Sequence, residues 1–321
     1  MSIQSTHRPG RPRPALSRRA LLAGTAAGAV GLSLAACGKG KKSGSQGDSK
    51  TVTVVTHDSF HVSEDLQKAF TSETGYTLKV ATSGDAGALV NKLVLTKDAP
   101  LGDAVFGIDN TYATRALDQG VIDTSATVTL PKGAESYVVA DTPALAPIDV
   151  GDVCLNIDTG YFTGKGLTPP ATFEDLTKPE YKGLLVAINP TNSSPGMAWL
   201  LATIGHFGAG SFAGYWKQLM ANGARIAEDW SAAYETDFSG SGKGTYPIVV
   251  SYASSPSFTV SKDKSSSSTS ALLDTAFRQV EYAGVLKGAA NPEGGKAFVE
   301  WMLSKAVQED IPGQMYMYPV L

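Results

Sequence analysis

Short apolar runs alternate with stretches of helical periodicity through the first third of the globular chain, and this limits the fold more than any other feature. Thr51-Val52-Thr53-Val54-Val55-Thr56 is β-branched and reads as a first strand. A helical pattern through Leu66, Ala69 and Phe70 follows and stops near Gly75. Thr77 to Ala81 is a second strand, Ser83-Gly84-Asp85-Ala86-Gly87 a turn, and Val90, Leu93 and Val94 mark the next helix. Asp103-Ala104-Val105-Phe106-Gly107-Ile108-Asp109-Asn110 is apolar in the middle and polar at its ends, the pattern of a buried strand. A further helix is expected over Thr111 to Gly120. Such alternation builds a parallel sheet with helices on its faces, and such sheets bind ligands beyond the carboxyl ends of their strands. Asp109 and Asn110 stand at one of those ends. A carboxylate and an amide there can meet a ligand carrying positive charge and N–H donors. Asp is equally a favoured N-cap for the helix that follows, so the octet alone leaves both readings open.

Later elements continue the pattern. Pro143 to Pro147 reads as a crossing between domains, followed by a strand from Val150 to Asn156. Leu184-Leu185-Val186-Ala187-Ile188 is a buried strand that opens into Asn189-Pro190-Thr191-Asn192-Ser193-Ser194-Pro195-Gly196 and a long apolar helix. Hydroxyls and free amides at a helix start can hold a polar or anionic group, and they are also ordinary caps. Tyr246 to Ser251 and Gln279 to Leu286 read as strands, Lys262 to Ser270 as a mobile Ser-rich loop, and Pro292 to Leu303 as a helix.

The N-terminus is of another kind. Residues 1–36 hold five arginines and no acid, and Leu21 to Ala36 is apolar and small, the layout of an export signal. The run is too short and too rich in Gly and Ala for a transmembrane helix. Leu34-Ala35-Ala36-Cys37 resembles a bacterial lipobox, which implies cleavage before Cys37 and a diacylglycerol on its thiol. Ser17-Arg18-Arg19-Ala20-Leu21-Leu22 fits both a twin-arginine signal and an ordinary basic leader. Gly38 to Lys50 has almost nothing apolar and reads as a flexible tether.

Removing residues 1–36 takes the formal net charge from −3 to −8, which disfavours nucleic acid as a partner. Gly240-Ser241-Gly242-Lys243-Gly244 lacks the spacing of a phosphate loop, and no catalytic or metal-binding signature is present. The four histidines form no ligand cluster. With Cys37 acylated, Cys154 has no disulfide partner within the chain, and its apolar neighbours read as a buried setting.

A lipid-tethered two-domain α/β chain without catalytic signatures fits the solute-binding component of an ABC importer. In order and spacing, His57-Asp58-Ser59-Phe60, Val105 to Asn110, Trp230-Ser231-Ala232-Ala233-Tyr234, Ser251-Tyr252-Ala253-Ser254-Ser255-Pro256 and Met317-Tyr318-Pro319-Val320 resemble the thiamine-binding proteins of such importers. The resemblance covers most of Thr51 to Leu321. It implies a two-lobed, periplasmic-binding-protein-like α/β fold with a ligand cleft between two mixed-sheet domains. Residues 51–147 and a return segment, 272–321, would form one lobe, and 148–271 the other. It implies no catalytic residue, cofactor or metal. The partners expected are thiamine or its phosphates, an importer permease and, through the lipid, the outer face of a membrane; a monomer is expected.

Thiamine carries a cationic thiazolium and a flat aminopyrimidine, so its site wants aromatic faces and a carboxylate. The resemblance places Trp230, Tyr252 and Phe258 as walls and Asp109 as the acid, with Asn110, His57, Asp58, Ser59 and Tyr234 around them. Ser193 and its loop would meet the hydroxyethyl or phosphate end. Core packing is the other reading of Trp230 and Tyr252. The chain departs from the family at Phe258, often Tyr, and at His57, often aromatic. It has His61 and no Trp after Asp-Ser-Phe. The family continues past Tyr-Pro-Val, so a closing segment is expected beyond Leu321.

Three rivals remain at this level. A ferric-ion binder typically needs paired tyrosines, and Ala253 follows Tyr252. A polyamine binder needs several convergent acids, of which only Asp109 is nominated. A thiamine-cleaving enzyme of the same fold would need Cys154 as its nucleophile.

Overall fold

The computed structural model describes residues 50–241 and 243–321. The export leader, Cys37 and most of the tether lie outside the described residues. The strands are β1 (Thr51–Thr56), β2 (Thr77–Thr82), β3 (Ala104–Asp109), β4 (Ala146–Asp158), β5 (Leu185–Ile188), β6 (Arg225–Ala227), β7 (Ile248–Tyr252), β8 (Thr269–Val285) and β9 (Tyr318–Pro319). The α-helices are α1 (Glu64–Thr74), α2 (Ala86–Leu95), α3 (Ala113–Asp118), α4 (Thr159–Lys165), α5 (Ser194–Phe207), α6 (Phe212–Ala221), α7 (Pro292–Met302) and α8 (Lys305–Gln314).

The strands form a single mixed sheet in the order β2-β1-β3-β8-β4-β7-β5-β6, with β9 pairing β4. β2, β1 and β3 are parallel, as the strand–helix alternation requires. β3 is buried along its whole length because it sits between β1 and β8, whereas β2 is an edge strand and mostly half-exposed or exposed. At the other end β7, β5 and β6 are parallel. Between the two parallel sets run β8 and β4, antiparallel to each other and to their outer neighbours.

These two long strands serve two hydrophobic cores. β4 gives Ala146, Ile148 and Val150 to one core and Val153, Leu155 and Ile157 to the other. β8 gives Val280, Tyr282, Ala283 and Val285 to the first, while Leu272 and Phe277 pack on the second. Tyr252 packs against both. The result is the two-lobed α/β architecture expected from the sequence.

Element boundaries differ most at β4, β8 and α3. Pro143 to Pro147 is not wholly a connection: β4 already begins at Ala146, and Pro147 pairs with Tyr282. β8 begins at Thr269 rather than Gln279. Its first half mixes polar and apolar residues and is broken by a register shift opposite Val153 and Leu155, where the Thr275 hydroxyl accepts from the Leu155 N–H. That interruption hides the period-2 pattern by which a strand is read. α3 is shorter than Thr111 to Gly120 because Asp109 first folds Thr111 and Tyr112 into a capping turn.

Candidate functional site

The carboxyl ends of β1 and β2 are tied together. Asp58 donates its backbone N–H to the Gly84 carbonyl and accepts the Gly84 N–H on its side chain, both at 3.0 Å. This brings His57-Asp58-Ser59 beside Asp85. Asp85 caps α2 through Ala86 N at 2.8 Å. Its other oxygen has no hydrogen bond in the protein. Burial raises the Asp85 pKa; the Ser193 hydroxyl at the head of α5, the Ala86 N–H, His57 and the Trp230 backbone pull it partly back. Asp85 therefore faces groups of both lobes.

His57 packs over the bulge in β3. Its Nδ1 accepts the Ser59 N–H at 3.1 Å, so in the neutral ring the proton sits on Nε2, 3.5 Å from Glu281 Oε2. Burial would lower the His57 pKa, but Glu281, with Asp85 and Asp58 behind it, outweighs burial and leaves it raised. Glu281 is the middle of a rung of acids, facing Asp109 across β3–β8 and Asp149 across β8–β4. All three are buried. Like charges directly opposite one another are unfavourable, and the pKa values of Asp149 and Asp109 are both raised. Burial and the neighbouring Glu281 charge keep Asp149 well above the usual carboxylate range. Burial, only partly offset by the hydroxyls of Ser194 and Thr111, pushes Asp109 up to about 6. Gln279 links Glu281 to the Tyr252 hydroxyl, at 3.3 and 3.2 Å.

The second lobe supplies the aromatic side. Trp230 stacks on Tyr234 with ring centres 5.0 Å apart and planes at 11°, and its indole N–H donates to Ser251 Oγ at 3.0 Å. Ser251 Oγ meets Ser255 Oγ at 2.9 Å, so the Ser251 to Pro256 motif fixes both Trp230 and Tyr252. After α8 the chain turns at Tyr316, which has φ +64 and whose carbonyl accepts the Ser254 hydroxyl. Phe258 packs against the Tyr316 ring.

A cavity of about 380 Å³ lies among these groups. Of the residues nominated from sequence, His57, Asp58, Ser59, Trp230 and Tyr252 line it. Five others stand back. Asp109 is fully buried; its Oδ1 accepts Thr111 N at 2.7 Å and Tyr112 N at 3.1 Å, closing a turn ahead of α3, whose N-cap is Tyr112. Asn110 exchanges hydrogen bonds with Val280 N and Arg278 O. Ser193 is buried beside Asp85, Tyr234 lies behind Trp230, and Phe258 lies behind Tyr316. The lining also includes Asp85, Glu235, Glu281 and Tyr316, which the sequence reading left out. Asp85 lies in the loop just past the carboxyl end of β2, at the head of α2, where the strand-end rule places ligands. Glu281 is a lone acid in the apolar run from Val280 to Val285, a pattern that marks a buried carboxylate. Four acids, three large aromatics and no lysine or arginine form the lining, which suits a flat cation.

The sequence profile described as "Bacterial extracellular solute-binding protein" matches residues 103–321. The chain belongs to this family. As a solute-binding protein of this kind it is extracytoplasmic and not an enzyme. It is 27% identical to the thiamine-binding periplasmic protein of Escherichia coli strain K12 over 279 residues, 84% of this chain and 80% of the relative. It is 28% identical to the protein of that name from Brucella suis biovar 1 over 282 residues, 84% and 79% of the two chains. A solved periplasmic thiamin binding protein superposes with a TM-score of 0.72 at 25% identity, covering 84% of this chain and 83% of that one. Cys154 suits a binding protein: it is buried in β4, and burial followed by the Asp152 charge pushes its thiol up to about 12. A thiol so protonated is no nucleophile.

The buried rung has a measurable consequence. The folded Asp109 pKa of about 6 lies above its ordinary value of 3.8, so the folded state binds the proton more tightly. Stability from this group is present below about pH 4 and is lost as pH rises through about 6. Asp109→Asn keeps an acceptor for Thr111 and Tyr112 and cannot ionise. It is expected to stabilise the protein by on the order of 1–2 kcal/mol at pH 7–8, with the gain vanishing near pH 4. Urea titrations of both proteins at the two pH values check this; an equal or lower midpoint at pH 8 would remove Asp109 from the account.

Proposed function

We propose that the protein binds thiamine outside the cytoplasm and delivers it to the permease of an ABC importer. The observation that carries this reading is the cavity of about 380 Å³ walled by Trp230, Tyr252 and Tyr316 and lined by the acids Asp85 and Glu281. The aromatic faces fit a planar heterocycle and attract its cation, and the carboxylates supply the countercharge and acceptors for an exocyclic amine. The thiamine-binding relatives support the same reading. In it, residues 51–147 and 272–321 form one lobe and 148–271 the other, with Asp85 beside the Ser193 end of α5. Asp109 and Asn110 act from beneath the site, and Ser193, Tyr234 and Phe258 support the groups that touch ligand.

We include the lipid anchor at Cys37 in the proposal, on the lipobox-like Leu34 to Cys37. Cell fractionation of the Cys37→Ser protein tests it, and unchanged membrane retention would remove the anchor. The test of ligand identity is calorimetric titration of the soluble domain with thiamine, spermidine and ferric iron. Thiamine is expected to bind with about micromolar or tighter affinity, on the scale where each decade is ~1.4 kcal/mol. The four acids favour one second reading, a polyamine. Saturable binding of spermidine without binding of thiamine would replace the first reading with it.

A further inference from the structure

We propose that His57 makes the cavity choose between a proton and the ligand's cation, so that thiamine entry expels the proton carried by the His57 ring into the surrounding water; this rests on the thiamine reading above. His57 lines the cavity and is 7% exposed. Its two nitrogens face opposite demands. Nδ1 accepts the Ser59 N–H at 3.1 Å, which only an unprotonated nitrogen can do. Nε2 stands 3.5 Å from Glu281 Oε2, and that carboxylate favours a charged ring. A proton added to Nδ1 would set two donors against each other and break the Ser59 bond. Ser59 also lines the cavity, so protonation disturbs the wall as well as its charge.

The ring cannot escape by turning away. It packs on Phe106, with ring centres 5.3 Å apart, and over Gly107, where a Cβ would come within 2.0 Å of its Cδ2. The charged groups that face it are acids. Glu281 on β8 meets Nε2, while Asp85 at the head of α2 and Asp58 beside His57 act more weakly. Behind Glu281 stand Asp109 on β3 and Asp149 on β4. The Tyr252 hydroxyl, which burial keeps protonated, reaches Glu281 through Gln279. Burial opposes a charged ring, but Glu281, Asp85 and Asp58 together outweigh it and raise the His57 pKa above the ordinary 6.5. Among the described residues no lysine or arginine lines the cavity. The imidazolium and the ligand's cation therefore draw on the same carboxylates, Asp58, Asp85 and Glu281. A cation in the cavity takes over that countercharge and repels the imidazolium. The ring then returns to the neutral form that the Ser59 N–H already holds. Binding that expels a proton grows tighter as pH rises through the range in which His57 titrates.

The experiment is calorimetric titration of the purified protein with thiamine at about pH 6, 7 and 8, each in two buffers of different ionisation enthalpy. Affinity is expected to rise about 10-fold across this range, and the buffer dependence to show up to about one proton released per thiamine at its acid end. His57→Gln keeps an amide donor towards Glu281 and cannot be charged. It should flatten the rise to less than about twofold and abolish the release, whatever it does to affinity itself. Glu281→Gln removes the nearest countercharge, so the rise should move to lower pH and the release at pH 7 should fall. Asp109→Asn, altered behind Glu281, should keep both the rise and the release. A wild-type affinity that varies less than about twofold, or a rise that either His57→Gln or Glu281→Gln leaves intact, would overturn the proposal while leaving the thiamine reading in place. Loss of the release in Asp109→Asn would overturn it too, by moving the proton from the ring to the rung of acids. Absence of thiamine binding at every pH would instead overturn both.

Discussion

Gly107→Ala is expected to destabilise the protein by about 3 kcal/mol and to abolish tight ligand binding, from two separable costs. Gly107 forms the bulge between Phe106 and Ile108 where β3 shifts register against β8, and its φ is +97. A side chain there is strained whatever the space around it. Space is also absent: an ideal Cβ would lie 2.0 Å from His57 Cδ2. His57 would have to leave its place over the strand and its 3.5 Å contact with Glu281. Thermal melting should show a fall of roughly 5–10 °C. Adding His57→Ala should return the part due to the clash and leave the part due to φ, so the double-mutant cycle apportions the two. An unchanged melting temperature for Gly107→Ala would mean that the bulge is not built as described.

That glycine shows what the sequence could and could not reveal. Alternation of apolar runs and helical periods sufficed for β1, β2 and β3 and for β5 and β7, because each is short and bounded by turn residues, but not for the three-residue β6. It did not reveal β4 and β8 at full length. Both cross from one core to the other, so their buried faces belong to different environments, and a bulge breaks the period where they cross. The bulge at Gly107 is equally silent in a single sequence, since a glycine inside a strand only hints at one.

The acids show the same limit. Asp109 ends β3, Asp85 follows the end of β2 at the head of α2, and residue type alone does not distinguish their roles. Position in the sheet does: β3 is flanked on both sides and its end is roofed by the head of α5, whereas β2 is the edge strand and its end opens to the cavity. Glu281 enters only because β8 inserts between β3 and β4, a pairing that brings residue 281 beside residues 109 and 149. Tyr316 stands one residue before the Met317 to Val320 motif. It reaches the cavity because β9 pairs Pro319 with Asp149 and holds that end of the chain against the first lobe.

Trp230→Ala is expected to weaken thiamine binding by about 10-fold or more, at ~1.4 kcal/mol per decade. Trp230 lines the cavity and is held from behind by the Tyr234 ring and from the side by Ser251, so its face is preorganised for a flat cation. Binding therefore loses little side-chain entropy at this wall. The other three tryptophans do not line the cavity: Trp199 and Trp301 are buried in the two cores, and Trp216 packs on Trp199. Covering Trp230 should accordingly dominate the change in intrinsic fluorescence, and Trp230→Ala should remove most of it. Trp230→Phe retains a smaller face and should recover part of the affinity but none of the indole signal. At the opposite wall, Tyr252→Phe removes the hydroxyl that meets Gln279 and keeps the ring, so it should cost less than Tyr252→Ala. A Trp230→Ala protein that melts earlier yet binds thiamine as tightly would make Trp230 a packing residue of the second lobe, and the aromatic wall would have to be sought at Tyr316.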